Sequence, residues 1–391
     1  MTVAPARTSA ADILSRLPGV REVVREHAAR CDRDAVFPEA ALTALRRSGL
    51  LGLTVPAGDG GPGGTLAQML HASAELSRDC TSVGMIFTMH CQQVDALVRY
   101  GSPRLRAELL PRIVRGELYL GSVTTEPKGG GHLLTSSARL HGDAAALTVD
   151  RIAPVLTGGG YADGFLITMQ APGARSPGEV SLVYAARDQL AVTPAGGWDP
   201  LGMRATASGA MRLCGEIPGD QVIGEHGRFR DIAVAVFGPL AHLGWAACWL
   251  GAADGALART VRLLRSPAER GRTGSETARR RLSRVRQRLD TVHALIQHAC
   301  GVLTAGVENV TAPPAQLLLN AVKLTASEQC LAAVDDLVEL AGLRHGYQRG
   351  SELGLERTLR DLRSASLNYS NDRLHDADGV LVMLDREVRH V

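Results

Sequence analysis

The spacing of apolar positions along the chain changes twice. Residues 10–117 repeat their apolar positions with the period of an α-helix, whereas residues 119–227 contain short apolar runs separated by Gly, Pro and Asp. Beyond this stretch the helical period returns in long segments. We therefore predict an α+β protein with an N-terminal helical domain (residues 1–118), a middle antiparallel β-domain (119–228) and a C-terminal four-helix bundle (229–391).

Local signals mark the ends of helices in the N-terminal region. Pro38 suits the first turn of a helix and Gly49 suits its C-terminal cap. A further helix is predicted over residues 65–79, with Thr65 as its N-cap, and another over residues 82–100. The region is therefore expected to be a set of short and medium helices joined by loops.

The segment 120–132 combines a predicted strand with a glycine-rich turn. Val123 favours a strand, Pro127 ends it, and three glycines follow shortly after. Such a segment presents backbone N–H groups and the hydroxyls of Thr124 and Thr125 at the edge of a sheet. These groups could hold a flat, electron-accepting ring by hydrogen bonds. An ordinary glycine-rich β-turn explains the same pattern, so the residues alone leave both interpretations open.

Long helical segments dominate the C-terminal region, at residues 233–264, 277–306 and 314–341. The arginine-rich run 279–288 lacks interleaved aromatic residues, which favours a solvated helix face over a nucleic-acid site. His293 and His298 lie on different faces of a helix, a poor arrangement for metal ligands. We predict no metal site and no nucleic-acid partner.

The composition is that of an ordinary soluble protein: 391 residues, 45% hydrophobic and 21% charged, with a net charge of +3. No apolar run is predicted to span a bilayer, and residues 1–15 lack the apolar core of a signal peptide, so we expect a cytoplasmic protein with no membrane partner. The seven cysteines are dispersed without Cys-x-x-Cys spacing, which indicates reduced thiols. No Gly-x-Gly-x-x-Gly follows a predicted strand, and no P-loop or Gly-x-Ser-x-Gly elbow is present.

Six segments, in order and with matching spacing, resemble the acyl-CoA dehydrogenase superfamily. They are residues 37–63, with Phe-Pro, Val-Pro and Gly-Gly-Pro-Gly; 100–117, from Tyr-Gly-Ser to Gly-Glu; 125–127, Thr-Glu-Pro; 156–163, from Leu-Thr-Gly-Gly to Ala-Asp; 201–208, Leu-Gly-Met-Arg-Ala-Thr-Ala-Ser; and 346–363, from Gly-Tyr to Arg-Asp-Leu-Arg. Together they cover nearly the whole chain. The resemblance implies three domains that enclose FAD, in a homodimer or homotetramer.

The resemblance also implies positions for cofactor contacts. Two threonines would bond the pyrimidine side of the flavin, two glycines would approach the pyrophosphate, and residues of a second strand would face the ring. Further contacts would come from the C-terminal segment and, for the adenosine half, from a neighbouring subunit. The implied set is Thr124, Thr125, Gly130, Gly131, Val155, Thr157, Arg270, Glu339, Gly342, Asn371 and Arg373.

Several of these positions depart from the family pattern. Val155 stands where a tryptophan is usual, and Glu339 replaces an amide. The Arg-x-x-Phe-Gly signature is missing, and Arg270 is its loose substitute. The residues expected to contact the adenosine half of FAD therefore match the family pattern least.

The residue that should remove a proton is also absent. Dehydrogenases of this family abstract an α-proton from an acyl thioester with a glutamate while hydride moves to the flavin. Tyr369 occupies the place of that glutamate here. The alternative place, on the first long bundle helix, falls on Ala241, beside His242. Neither position holds a carboxylate.

Three hypotheses follow, with Tyr369, His242 and His90 as candidate catalytic residues. The one we favour from sequence is FAD-dependent dehydrogenation of an acyl thioester, on CoA or a carrier protein, with Tyr369, His242 or Asp372 as proton acceptor and a separate electron acceptor. The second is a flavin-dependent monooxygenase served by a flavin reductase and acting on a small molecule, with His90 lining the cavity. The third is a non-catalytic flavin-binding homologue.

Overall fold

A computed structural model of the chain describes residues 8–127, 133–267, 275–306, 310–385, 387–388 and 390–391. Helices precede the first strand, as the apolar spacing predicts. They are α1 (Ala10–Leu14), α2 (Leu17–Asp34), α3 (Glu39–Ser48), α4 (Leu66–Ser77), α5 (Thr81–Tyr100) and α6 (Pro103–Val114).

The predicted capping residues lie at the ends of these helices. Thr65 accepts a hydrogen bond from the backbone N–H of Gln68 and forms a capping box with it at the start of α4. Gly49 ends α3 with φ of 83°, a conformation that glycine adopts without strain. Pro38 is the N-cap of α3, one position before the first helical residue.

The β-domain consists of two four-stranded sheets, with strand orders β1-β4-β5-β8 and β2-β3-β7-β6. The strands are β1 (Leu120–Val123), β2 (His141–Gly142), β3 (Ala146–Ala153), β4 (Gly164–Gln170), β5 (Val180–Ala186), β6 (Leu190–Pro194), β7 (Met211–Pro218) and β8 (Val222–Ile223). All these pairings are antiparallel except β1 with β4, which is parallel.

The prediction of a wholly antiparallel β-domain is therefore corrected at one strand. Between β1 and β4 the chain passes through β2 and β3, which belong to the other sheet. This long connection allows β4 to run in the same direction as β1, as a parallel pair requires. A short hairpin would have made the two strands antiparallel.

The C-terminal region begins with one interrupted helix. It runs through α7 (Phe229–Ile232), a π-helical turn (Ala233–Phe237) and α8 (Gly238–Leu264). The remaining helices are α9 (Glu276–Thr304), α10 (Pro313–Gly342), α11 (Leu355–Arg363) and α12 (Asn371–Leu384). The predicted bundle thus has three long helices, and the shorter α11 and α12 pack against α10.

Two buried clusters hold the regions together. The larger joins the N-terminal helices to the β-domain and the bundle and includes Leu45, Phe165 and Trp249. The smaller joins α5, α6 and the first sheet to the start of the interrupted helix and includes Phe229. Burial of this apolar surface fixes the β-domain against the bundle, and a cavity remains between them.

One helix among the described residues, Phe229–Leu264, is long and apolar enough to cross a membrane by length and composition. The expectation that no segment reaches this length is therefore wrong. Most of the helix, 72% of its apolar window, is buried inside the protein, as in the core helix of a bundle.

Candidate functional site

A cavity of about 1130 Å³ lies between the β-domain and the bundle. Its walls come from α5, the segment after β1, the turn after β3, residues 198–208, α8, α10 and α12. Among the described residues that line it there are arginines and one histidine but no Asp or Glu. The volume is at or above the upper end of the range typical of ligand sites, so a cofactor and a second molecule could share it.

Thr124 and Thr125 both line the cavity, where β1 ends. The Thr125 hydroxyl donates to the backbone oxygen of Val155 at 2.9 Å. This bond ties the end of β1 to the turn after β3, so the two segments form one wall. Gly130 and Gly131 lie outside the described residues.

A buried ion pair anchors the segment that follows these threonines. Arg151 Nη1 lies 2.6 Å from Glu126 Oε1, and the two side chains are 1% and 4% exposed. Glu126 also accepts a hydrogen bond from the backbone N–H of Ser137 at 2.7 Å. Because a buried charge is costly without a partner, this pair holds Thr124 and Thr125 in a defined place beside the cavity.

Val155 and Thr157 also line the cavity, but from the turn after β3 and not from a strand. Thr157 Oγ1 lies 3.1 Å from Ser208 Oγ, which in turn donates to Thr206 Oγ1 at 2.7 Å. These hydroxyls make the β-domain wall polar. Ser208 and Thr206 were not among the predicted site residues, although they fall in a segment that carries the family resemblance.

The loop before these hydroxyls is held against α11. The backbone N–H of Met203 donates to Asp361 Oδ1 at 2.6 Å, and Met203 has φ of 56°. A Cβ on Gly202 would lie 2.0 Å from the backbone oxygen of Arg360, so only glycine fits this approach. Burial raises the pKa of Asp361 to about 6, and this carboxyl does not line the cavity.

His242 projects from α8 on the bundle side of the cavity. Its side chain is buried, and Nδ1 has no hydrogen-bond partner among the described residues. Burial, with a smaller contribution from the charge of Lys323, lowers the pKa of His242 to about 4. The imidazole is therefore neutral at physiological pH. The residue lines the cavity, while its unbonded Nδ1 is itself buried.

Tyr369 lies beside His242, with 6.1 Å between the ring centroids. It lines the cavity, is 42% exposed, and has φ of 52°, a strained conformation for a residue with a side chain. Trp245, 6.5 Å from the His242 ring, adds an aromatic face to the same wall. The predicted pair Tyr369 and His242 is thus brought together at the cavity.

His90 does not line the cavity, and the prediction that it would is wrong. The ring is fully buried between two backbone groups. Nε2 lies 3.0 Å from the Leu51 oxygen, and Nδ1 accepts from the Leu120 N–H at 3.0 Å. Both nitrogens are occupied, so His90 connects α5 to β1 and has no free atom for a ligand.

Asn371 is also corrected. It does not line the cavity, because its side chain is buried against α10. Its Oδ1 accepts from Lys323 Nζ at 2.5 Å, and its Nδ2 donates to Ser327 Oγ at 3.1 Å. Its neighbour in the prediction, Arg373, does line the cavity, together with Arg363.

The residues predicted to meet the adenosine half do not line this cavity. Glu339 is exposed and pairs with Arg281 at 3.6 Å, and Gly342 ends α10. Their contact with a flavin held by a neighbouring subunit, which the resemblance implies, stays a prediction. Arg270 lies outside the described residues.

Lys323 is the residue near the site that sequence reasoning missed. It is fully buried in α10 and donates to the backbone oxygen of Tyr369 at 3.0 Å. The chain has only two lysines, Lys128 and Lys323, and the second interrupts an apolar helix. A lone lysine among apolar residues was the available signal, since such a group is rarely buried without a function.

The residues present fit a flavin. Hydroxyls on the β-domain wall can bond the polar edge of the ring, while Trp245 and other apolar side chains suit its remaining surface. Arg363 and Arg373, which also line the cavity, suit a phosphate.

Comparison with known proteins places the chain in a family. Family models match two stretches: the N-terminal domain of acyl-CoA dehydrogenases at residues 19–117 and the C-terminal domain at residues 240–367. Mitochondrial isobutyryl-CoA dehydrogenase of Dictyostelium discoideum is 24% identical over 88% of this chain and 81% of its own. Dibenzothiophene monooxygenase of Mycolicibacterium goodii is 24% identical over 83% of this chain and 82% of its own.

The fold agrees with that assignment. The crystal structure of FMN-bound TdsC from Paenibacillus sp. A11-2 matches with a TM-score of 0.85 at 23% identity, over 96% of this chain and 98% of that one. The order of domains, the described cavity and the two family matches together show that the chain belongs to the acyl-CoA dehydrogenase superfamily, whose members are flavin oxidoreductases.

Proposed function

We propose that the chain is a flavin-dependent monooxygenase that hydroxylates a small, largely apolar molecule. The observation that carries this proposal is the absence of any carboxylate among the described residues lining the cavity. This conclusion reverses the order of preference that the sequence alone supports, in which dehydrogenation of an acyl thioester comes first.

Removal of an α-proton requires a base whose pKa lies near the working pH. Burial lowers the pKa of His242 to about 4, which leaves its imidazole a weak base. Tyr369 carries a phenol, a class of group that is a poor base at neutral pH and suits donation of a hydrogen bond. Neither group matches the requirement of a dehydrogenase, whereas hydroxylation needs no α-proton acceptor.

A bound flavin would supply two-electron redox chemistry, with dioxygen as co-substrate and a separate reductase as electron source. Thr124 and Thr125 would bond the edge of the ring, and Arg363 with Arg373 would bind its phosphate. The titration described below includes both FAD and FMN. His242 and Tyr369 would bond the polar atom of the substrate.

The lining favours an apolar, aromatic substrate over a large charged one. Met85, Met89, Phe237 and Trp245 lie around the cavity beside the two catalytic candidates. Such side chains exclude water and pack against flat apolar rings. The similarity to a dibenzothiophene monooxygenase supports the same class of substrate.

Dehydrogenation of an acyl thioester is the second candidate. The chain is as similar to an isobutyryl-CoA dehydrogenase as to the monooxygenase. Tyr369 lies at the place of the family's glutamate and at the cavity, and it would have to act as the proton acceptor. This alternative therefore requires a phenol to do the work of a carboxylate.

Flavin titration separates the two candidates. We expect the protein to bind FMN or FAD and, when the flavin is reduced by a reductase with NADH, to insert one atom of isotopically labelled dioxygen into an aromatic heterocycle such as indole. Acyl thioesters should leave the oxidised flavin unbleached under anaerobic conditions. Anaerobic bleaching by a thioester, without oxygen insertion, would overturn the proposal.

A further inference from the structure

We propose that Lys323 is a positioning residue that holds Tyr369 beside His242 at the cavity. The inference deepens the proposed function by adding a residue to its site. It does not depend on turnover, because the arrangement can be measured in protein without flavin or substrate.

Lys323 lies under the loop that carries Tyr369. Its ammonium is fully buried, donates to the backbone oxygen of Tyr369 at 3.0 Å and to Asn371 Oδ1 at 2.5 Å. The ring of Trp249 lies 6.0 Å from the same nitrogen, within range of a cation–π interaction. These contacts with Tyr369, Asn371 and Trp249 together define the position of the ammonium.

The loop needs such support because Tyr369 has φ of 52°. This left-handed conformation is unfavourable for a residue with a Cβ and persists only where neighbouring contacts impose it. The bond from Lys323 to the Tyr369 oxygen is a direct contact of that kind. It follows that the phenol reaches the cavity because the buried ammonium holds the backbone behind it.

The charge of Lys323 is not paired with a carboxylate in the described residues. Glu328, whose charge acts on Lys323, instead accepts a hydrogen bond from Asn371 Nδ2 at 3.3 Å. Asp378 accepts a hydrogen bond from Asn320 at 2.5 Å. Burial lowers the pKa of Lys323 to about 8, so the group is mostly protonated at neutral pH. Its field extends to His242, where it adds to burial in lowering the pKa of that ring.

A structural lysine and a positioning lysine therefore differ in a measurable way. Loss of packing alone would lower stability and leave the Tyr369 and His242 rings side by side. Loss of the bond that holds the Tyr369 backbone would separate the two rings, whereas loss of the charge by itself would raise the pKa of His242 without separating them, because a neighbouring positive charge disfavours the imidazolium.

The experiment measures by NMR, in flavin-free protein, the nuclear Overhauser effect between the ring protons of Tyr369 and His242, whose ring centroids lie 6.1 Å apart, with His242→Gln and Tyr369→Phe variants to assign the signals. We expect Lys323→Met to abolish this contact and Lys323→Arg, which keeps a donor for the Tyr369 oxygen, to retain it. An unchanged contact between the two rings in Lys323→Met would overturn the proposal.

Two further variants guard against misfolding. Val334→Ala removes a fully buried side chain from the same helix, away from the site, and should lower stability while the Tyr369 and His242 rings stay side by side. Lys323→Gln keeps a donor for the Tyr369 oxygen but removes the charge, so it should retain the contact between the rings while the pKa of His242 rises. Separation of the two rings in Val334→Ala to the same extent as in Lys323→Met would reduce Lys323 to a packing residue and overturn the proposal.

Discussion

Two histidines are buried in the part of the chain that the structure describes, and their surroundings differ in one respect. His90, on α5, has both ring nitrogens bonded to backbone groups, one from the segment after α3 and one from β1. His242, on α8, lines the cavity, and its buried Nδ1 has no hydrogen-bond partner among the described residues. Burial lowers the pKa of each to about 4, so the pKa alone does not distinguish them.

The difference shows how to separate a structural from a functional buried residue. A satisfied polar group connects elements and stabilises them, whereas a buried polar atom without a partner makes no such connection, so we expect another role for a residue that carries one in a cavity wall. Since both histidines lie among apolar neighbours in the sequence, the distinction exists only in the folded chain.

The largest effect should come from His242→Ala on activity. If this ring bonds the substrate as proposed, the rate of hydroxylation should fall by about 10- to 100-fold, the equivalent of one buried hydrogen bond. Urea denaturation should show a smaller loss of stability than for His90→Ala, because Nδ1 of His242 has no partner to lose among the described residues. A variant with an unchanged rate at saturating flavin would remove His242 from the site.

His90→Ala should do the reverse. It leaves the Leu51 oxygen and the Leu120 N–H buried without a partner, and we expect a loss of about 3–5 kcal/mol in the free energy of unfolding. The rate per folded molecule should change little. His90→Gln, which can restore one of the bonds, should recover part of the stability; a fall in rate with intact stability would contradict the comparison.

The two histidines should contribute in the same way to the pH dependence of stability. Each has a folded-state pKa of about 4, below the ordinary value of 6.5, so the unfolded chain takes up protons first. Stability is therefore complete above about pH 6.5 and is lost as the pH falls toward 4, by on the order of 3 kcal/mol per ring. Denaturation curves of the wild type and of His242→Gln across this range measure the contribution of one ring, and equal slopes would contradict it.

The smallest effect should come from Tyr369→Phe. The variant keeps the ring beside His242 and removes only the hydroxyl, so we expect a fall in rate of about three- to tenfold, the equivalent of one hydrogen bond. Steady-state hydroxylation at several pH values is the measurement. A loss as large as that of His242→Ala would mean that the phenol contributes as much as the imidazole and would contradict this order of effects.

Much of the fold follows from local signals in the sequence. Thr65 and Gly49 cap helices because capping depends on a few neighbouring residues. Thr124 and Thr125 lie at the cavity just after β1 ends at Val123, while their contact with a flavin stays a prediction. The parallel pairing of β1 with β4 was not predictable in this way, since it depends on which sheet the intervening strands join.

The site was predictable to a lesser extent. Tyr369 and His242 were identified by position relative to the family pattern, and they meet at the cavity. The role of His90 could not be read from its neighbours, because its partners Leu51 and Leu120 lie 39 and 30 positions away in the chain. Lys323 was overlooked because only the folded loop brings Tyr369 over it.

The π-helical turn Ala233–Phe237 determines which sequence changes the interrupted helix can tolerate. A turn of this kind holds one residue more than an α-helical turn, and each residue advances an α-helix by about 100°. On one side of it Phe229 packs with the first sheet; on the other, Leu243 and Trp249 pack in the bundle. Because of the extra residue, the apolar side chains before and after the turn both face inward along one helix. Deletion of one residue here would rotate one set of side chains away from its partners, whereas a substitution would leave both sets in place.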